Sequence, residues 1–280
     1  MVDKSKIEKI INEKILKIKD VSKGYDHKVY IVRLQDKEVV LRIPIKEKNK
    51  IVAQAWAMKR WKRIGVPVPE ILSVKRDYII EERIDGTDLE GTRITNKQKQ
   101  QVLFKLGKYL KRMHTIKTKK YGYLLKPGIG GKRSWKDFIE PDFKGSLKDI
   151  KTIISADLAN KTKEFFDKNK DILKIKTPRL IHADLAPDNI MIKDGKLNGL
   201  IDASDSMSGD PYYDLGIINY FFRDYLDYFM KGYGKIDLRK VNFYSVYDAV
   251  WLINFYGLIH KNKKAFRKAV SSLKHFLSAP

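Results

Sequence analysis

The sequence predicts an α+β chain in two lobes, a small sheet-rich one over residues 1–84 and a larger, mostly helical one over residues 85–280. Three observations carry this. Within the first 83 residues, β-branched runs separated by turn residues surround a single helical stretch. Beyond Gly86, apolar residues recur at three- and four-residue spacing behind capping signals. One short apolar hairpin interrupts that helical half, at residues 190–201.

The elements follow in order. Ile7, Ile10, Ile11 and Ile15 fall at helical spacing within residues 3–16. Residues 31–34 and 38–43 flank Gln35-Asp36-Lys37 and read as a hairpin. Asn49 is a candidate cap for a helix carrying Ile51, Ala55, Met58 and Trp61; Gly65 ends it, and Pro67 and Pro69 keep the chain extended. Residues 78–82 read as a strand. Thr95-Asn96-Lys97-Gln98 is a capping box before a helix with Leu103, Leu106, Leu110 and Met113 on one stripe. Ser134-Trp135-Lys136-Asp137 opens another. Asp210-Pro211 combines an N-cap with proline at the first helical position, ahead of Leu215, Ile218, Phe222 and Phe229. Asp237 caps a last long helix with Val241, Tyr244, Trp251, Phe255 and Leu258.

Composition narrows the function classes. The absence of cysteine excludes disulfides, thiolate zinc sites and thiol catalysis. No apolar run reaches membrane-spanning length, and the first residues lack the apolar core of a signal peptide, so a soluble cytoplasmic protein is expected. The net charge is +24, but the lysines are spread along the chain and no base-stacking aromatics alternate with them. A solvated basic surface is therefore favoured over a nucleic-acid partner. Residues 184–228 break the trend, with nine acids against three bases, a net −6. An acidic stretch in a basic protein marks where cations belong: a divalent metal, and beyond it a cationic substrate.

That stretch holds His182, Asp184, Asn189 and Asp202 around two apolar runs. Asp184 and Asn189 stand five apart, the separation in the loop H-R-D-L-x-x-x-N. Pro187 and Asp188 favour a turn. Asp194-Gly195 is a strong hairpin signal, and that hairpin brings Asp202 back beside Asn189. An acid, an amide and a second acid in this order suit phosphoryl transfer. Asp184 would orient an attacking hydroxyl and accept its proton; Asn189 and Asp202 would hold Mg²⁺ against nucleotide phosphates. The competing reading is a surface hairpin with scattered acids. His182 reads as a brace, since nothing near it completes a triad. His114 reads as packing at a helix end, Asp210 as a helix cap, Asp214 as a first-turn acid bracing the loop, and Asp205 as scaffold.

At these residues the chain resembles the aminoglycoside phosphotransferase family of kinase-like enzymes, which includes macrolide phosphotransferases, homoserine kinases and choline kinases. The family's H-G-D-x-x-x-x-N stands here as His182-Ala183-Asp184 through Asn189. Its second motif stands as Ile201-Asp202 through Gly209-Asp210-Pro211-Tyr212-Tyr213-Asp214-Leu215. Glu82-Arg83-Ile84-Asp85-Gly86 is similar to the linker between lobes, and the likeness spans roughly residues 20 to 230.

The resemblance implies a bilobal protein-kinase-like fold, Mg²⁺, and ATP or GTP as donor to a hydroxyl of an antibiotic-like or metabolite substrate. It implies that the nucleotide base bonds backbone groups near Glu82 and Ile84. Residues 22–28, with Gly24, would form a flap over the phosphates; an ordinary hairpin turn is the alternative. Arg42 takes the position of the phosphate-gripping lysine. The acid expected to partner it, on the following helix, aligns with Gln54, which leaves Glu47 or another acid as candidates. Asp202 is followed by Ala203-Ser204 rather than Phe-Gly, which argues against a protein kinase. Two rivals stand beside this expectation: a catalytically silent nucleotide-binding scaffold, motivated by Arg42 and Gln54, and an RNA-associated basic protein.

Overall fold

A computed structural model describes residues 4–22, 27–45 and 50–278. The N-terminal part is one antiparallel sheet of β1 (Lys17–Asp20), β2 (His27–Arg33), β3 (Glu38–Pro44), β4 (Ile71–Lys75) and β5 (Tyr78–Glu82), in the order β1-β2-β3-β5-β4. Period-two alternation gives the sheet two apolar faces. Tyr30, Val32, Val39, Leu41, Tyr78 and Ile80 pack with Ile7 of helix α1 (Lys4–Ile11). On the opposite face Ile79 packs with Ile51 and Ala55 of helix α2 (Ile51–Arg63). Arg42 pairs with Ile79 in the β3–β5 ladder and so shares that second face. The helix predicted over residues 3–16 is shorter than its apolar spacing: Asn12 turns left-handed at φ 58° and ends it, although Ile15 is still buried. Asn49, the expected cap of α2, and Glu47 lie outside the described residues.

The C-terminal part is built from helices and two small sheets. Strand β6 (Thr87–Asp88) precedes α3 (Asn96–Met113), and the predicted capping box between Thr95 and Gln98 is formed. Next come β7 (Tyr121–Lys126), β8 (Ile129–Lys132), α4 (Lys136–Ile150), α5 (Ala156–Asn169), β9 (Arg179–Ile181), β10 (Ile190–Lys193), β11 (Lys196–Leu200) and β12 (Met207–Gly209). The chain ends with α6 (Pro211–Phe222), α7 (Leu226–Tyr233), α8 (Leu238–Asn254) and α9 (Lys263–Ser278). The hairpin β10–β11 pairs with β6, and β12 lies between β7 and β9. Asp194 and Gly195, at φ 51° and 70°, make the two-residue turn with both φ positive that the sequence predicted.

One core joins Trp61 of α2, Leu106 and Leu110 of α3, Ile190 and Leu200 of the hairpin, Leu215 of α6 and Phe229 of α7. A second core centres on Trp135, Phe143, Phe166, Tyr244, Tyr247 and Phe276. Phe229 does not continue α6, as its spacing suggested. A 3-10 turn at Arg223–Tyr225 redirects the chain, and α7 lies against α3 instead. Reciprocal glycines allow that contact: a Cβ on Gly107 would meet the Phe229 carbonyl at 2.3 Å, and one on Gly232 the Phe104 carbonyl at 2.0 Å. Nor is α8 the last helix; α9 follows and closes the second core with Leu273 and Phe276. Among the described residues no helix is long and apolar enough to cross a membrane.

Candidate active site

The site is assembled by strand pairing. Ile181 pairs with Met207 across β9–β12, so the loop 182–189 leaves the sheet beside the loop 201–206 that returns to it. Ile190 pairs with Leu200 across β10–β11, and the Ile201 N–H donates to the Asn189 carbonyl at 3.0 Å. Asp184, Asn189 and Asp202 therefore stand on adjacent segments.

Asn189 Nδ2 donates to the Asp184 carboxylate at 2.7 Å and to the Asp184 carbonyl at 3.0 Å. The sequence pairing of acid and amide is thus direct. Asp202 takes a different set of partners: Oδ2 accepts from Arg42 Nη1 at 3.0 Å, while Oδ1 accepts the Ser204 N–H at 3.1 Å and the Ser204 hydroxyl. The two acids differ in proton affinity as a result. Burial pushes the Asp184 carboxyl well up, and the charges of Asp205, Asp202 and Asp188 add to it against the Asn189 bond. Burial also acts against ionisation of Asp202, but the Arg42 guanidinium and the Ser204 donors outweigh it and hold that carboxyl low.

Both loops pass through strained backbone. Ala183 has φ 65° and Asp202 φ 63°, a conformation that costs a non-glycine residue on the order of 1–3 kcal/mol. The Asp214 carboxylate, fully buried at the start of α6, accepts the N–H of His182 at 2.9 Å and of Ala183 at 2.7 Å. His114 Nε2 lies 2.9 Å from the same carboxylate and His114 Nδ1 2.9 Å from the Tyr233 hydroxyl, so this histidine does more than pack. His182 is the brace the sequence suggested. Its ring stacks on Trp61 of α2 at 5.5 Å and its Nδ1 accepts the Asp184 N–H at 3.3 Å. Burial, opposed by Asp214 and Asp202, holds its pKa below the usual histidine value. Asp210 caps α6 through the Tyr212 N–H, and its second oxygen accepts from Tyr244.

The partner of Arg42 is not Gln54. Arg42 Nε donates to Glu81 Oε1 at 2.8 Å, so a row from the buried Glu81 and Arg42 to the half-buried Asp202 crosses from the sheet to the second loop. The Val40–Glu81 pairing puts Glu81 diagonally across from Arg42 on the face that α2 covers. Desolvation and the two acids act in opposite senses on Arg42, and the acids prevail: the guanidinium stays charged. Gln54 instead donates from Nε2 to the Ser204 carbonyl at 3.1 Å. Glu81 carried a signal in the sequence that went unread: it shares the two-residue phase of Ile79 inside an apolar strand, and a carboxylate there requires a partner.

The remaining expected residues are placed less directly. The Glu82 N–H is taken by the Glu70 carbonyl at 2.9 Å, and its carboxylate receives Lys62 at 3.2 Å. Ile84 packs against Gly199 of β11. Gly24 and the centre of the expected flap lie outside the described residues.

Among the described residues no three His, Asp or Glu side chains form a metal cage. Mg²⁺ that keeps its waters and takes phosphate oxygens needs only one or two protein oxygens. The Asp202 carboxylate, 31% exposed, and the Asn189 amide oxygen match that requirement.

The Tyr256 phenol is pushed up by burial and then by the charges of Asp188, Glu90, Asp248 and Asp184. Asp248 of α8 has a buried Oδ2 with no hydrogen-bond partner among the described residues, and burial pushes its carboxyl up to about 7. The helical spacing of α8 gave no warning of this, because the isolation of Asp248 comes from packing.

Comparison with known proteins decides the family. The profile of the phosphotransferase enzyme family matches residues 17–244, well over half of the chain. The chain belongs to that family. This phosphotransferase is 23% identical over 235 residues to hygromycin-B 4-O-kinase of Escherichia coli, covering 79% of its own length and 67% of the relative's. Its fold matches a mutant of aminoglycoside phosphotransferase APH(4)-Ia in complex with AMP-PNP and hygromycin B, at TM-score 0.76 and 18% identity, over 99% of this chain and 97% of the other. The GDP complex of aminoglycoside 2'-phosphotransferase-IIIa matches at TM-score 0.74 and 16% identity, over 98% and 96% of the two chains. The bilobal, protein-kinase-like α+β fold expected from the sequence is the fold observed.

Proposed function

We propose that this phosphotransferase moves the γ-phosphoryl group of ATP or GTP to a hydroxyl of a cationic, sugar-like small molecule. The observation that carries this reading is the 2.7 Å bond from Asn189 to Asp184, with Asp202 on the adjoining segment. Asp184 orients the acceptor hydroxyl and takes its proton as the oxygen attacks. Asn189 fixes that carboxylate through its Nδ2 and would share with Asp202 the holding of Mg²⁺. When bound, the metal neutralises the charge on the transferring phosphate. Arg42 grips the donor phosphates, and backbone groups at Glu82 and Ile84 meet the base edge, where the two lobes join near residues 84 and 85. Positioning and charge stabilisation supply most of the rate in such a site. Nucleoside triphosphates are cytoplasmic, and the reading puts the enzyme there.

The acid-rich run of residues 184–228 supports a cationic acceptor. So do the relatives that bind hygromycin B and gentamicin. The rival of a silent scaffold was motivated by an Arg42 without an acid, and Glu81 supplies that acid. The test is transfer of labelled γ-phosphate from ATP and from GTP to a panel of aminoglycosides, other amino sugars, neutral sugars and macrolides. Transfer to amino sugars supports the proposal. Label released only to water, or transferred to none of the panel, contradicts it.

A further inference from the structure

Ser204 joins three parts of the site: Asp202, Gln54 of α2 and His27 of β2. Its N–H donates to Asp202 Oδ1 at 3.1 Å, closing an Asx turn across the left-handed Asp202. Its hydroxyl donates to the same oxygen. Its carbonyl accepts from Gln54 Nε2 of α2 at 3.1 Å. His27 Nδ1, at the root of β2, lies 3.3 Å from its hydroxyl oxygen. Donor accounting orders these contacts. An ionised Asp202 only accepts, so the single hydroxyl proton of Ser204 goes to Oδ1, and the contact with His27 then runs from an Nδ1–H to the Ser204 oxygen. One carboxylate oxygen of Asp202 is thereby fully engaged, which leaves Oδ2 to Arg42.

Resting on the kinase reading above, we propose that Ser204 is a positioning residue: its hydroxyl fixes the Asp202 carboxylate for the divalent cation, and its carbonyl, held by Gln54, ties that orientation to α2. The glutamine that fails to partner Arg42 thus has a different task, holding the metal-side turn against the N-terminal sheet region. No part of the task requires a charge at position 54, since the carbonyl of Ser204 needs only a donor.

The test is calorimetric binding of AMP-PNP to the full chain, in excess Mg²⁺ and in EDTA, for the wild type, Ser204→Ala and Ser204→Thr. The quantity read is the ratio of the two affinities. Loss of a residue that orients a metal ligand lowers metal affinity by on the order of 10-fold. Ser204→Ala is expected to lower the Mg²⁺-dependent ratio by about that factor, with affinity in EDTA unchanged; Ser204→Thr, which keeps the hydroxyl, restores it. An unchanged ratio in Ser204→Ala overturns the proposal. Equal losses with and without metal also overturn it, because they describe general damage to the site. A wild type without any Mg²⁺-dependent gain sinks the kinase reading itself, a result distinguishable from the others because it precedes any substitution.

Discussion

Asp214 Oδ1 accepts the backbone N–H of Ala183 at 2.7 Å, and this bond holds a non-glycine residue in the left-handed region one position before Asp184. The same carboxylate takes the His182 N–H and the His114 ring. Asp214→Ala leaves these donors buried and unpaired, a loss of about 3 kcal/mol or more. Denaturant unfolding should show it as a lowered midpoint. Ala183→Gly should be neutral or stabilising by up to ~1 kcal/mol, since glycine adopts this φ freely but loses more entropy on folding. A clear destabilisation by Ala183→Gly would mean that the backbone there is unstrained.

Arg42 and Glu81 should be strongly coupled. Removing one member of a buried ion pair strands the other and costs about 3–5 kcal/mol. In a double-mutant cycle of Arg42→Met and Glu81→Gln, the coupling energy should be large. The corresponding cycle of Arg42→Met with Gln54→Met should give a much smaller coupling, because Gln54 reaches Arg42 only through Ser204 and Asp202. Comparable couplings in the two cycles would contradict the assignment of Glu81 as the partner.

Asp248 supplies a pH signature. Its carboxyl rises from the ordinary 3.8 to about 7 through burial. The folded state therefore binds more protons than the unfolded state between those values, and stability falls as pH rises from about 4 to about 7. Asp248→Asn removes this dependence. The variant should melt above the wild type at pH 8 and together with it at pH 4. Matching melting curves of variant and wild type at pH 8 would contradict the isolation of this acid.

Much of the site was legible because its chemistry is local in sequence. Asp184 and Asn189 are five residues apart, and one Asp-Gly turn returns the chain to Asp202; spacing and turn chemistry suffice for such a group. Caps were equally legible at Thr95, Asp210 and Asp237, where the side chain and the N–H it satisfies lie within three residues. Glu81 was not. Its contact with Arg42 spans 39 residues and depends on the register of β3 against β5, which no local pattern states. The break between α6 and α7 escaped for a related reason: Phe229 keeps helical phase with Phe222, and only the packing of α7 on α3 rewards the turn between them. The strained φ of Ala183 was hidden because its cause, Asp214, lies 31 residues downstream.

The central claim is that Asp184 accepts the proton of the attacking hydroxyl in a site completed by Asn189 and Asp202. The most direct measurement is turnover of phosphoryl transfer by Asp184→Asn, together with its affinity for Mg²⁺·AMP-PNP. The account predicts a fall in kcat on the order of 10²–10⁴-fold, with nucleotide affinity changed little. Full turnover in the Asp184→Asn variant would contradict it.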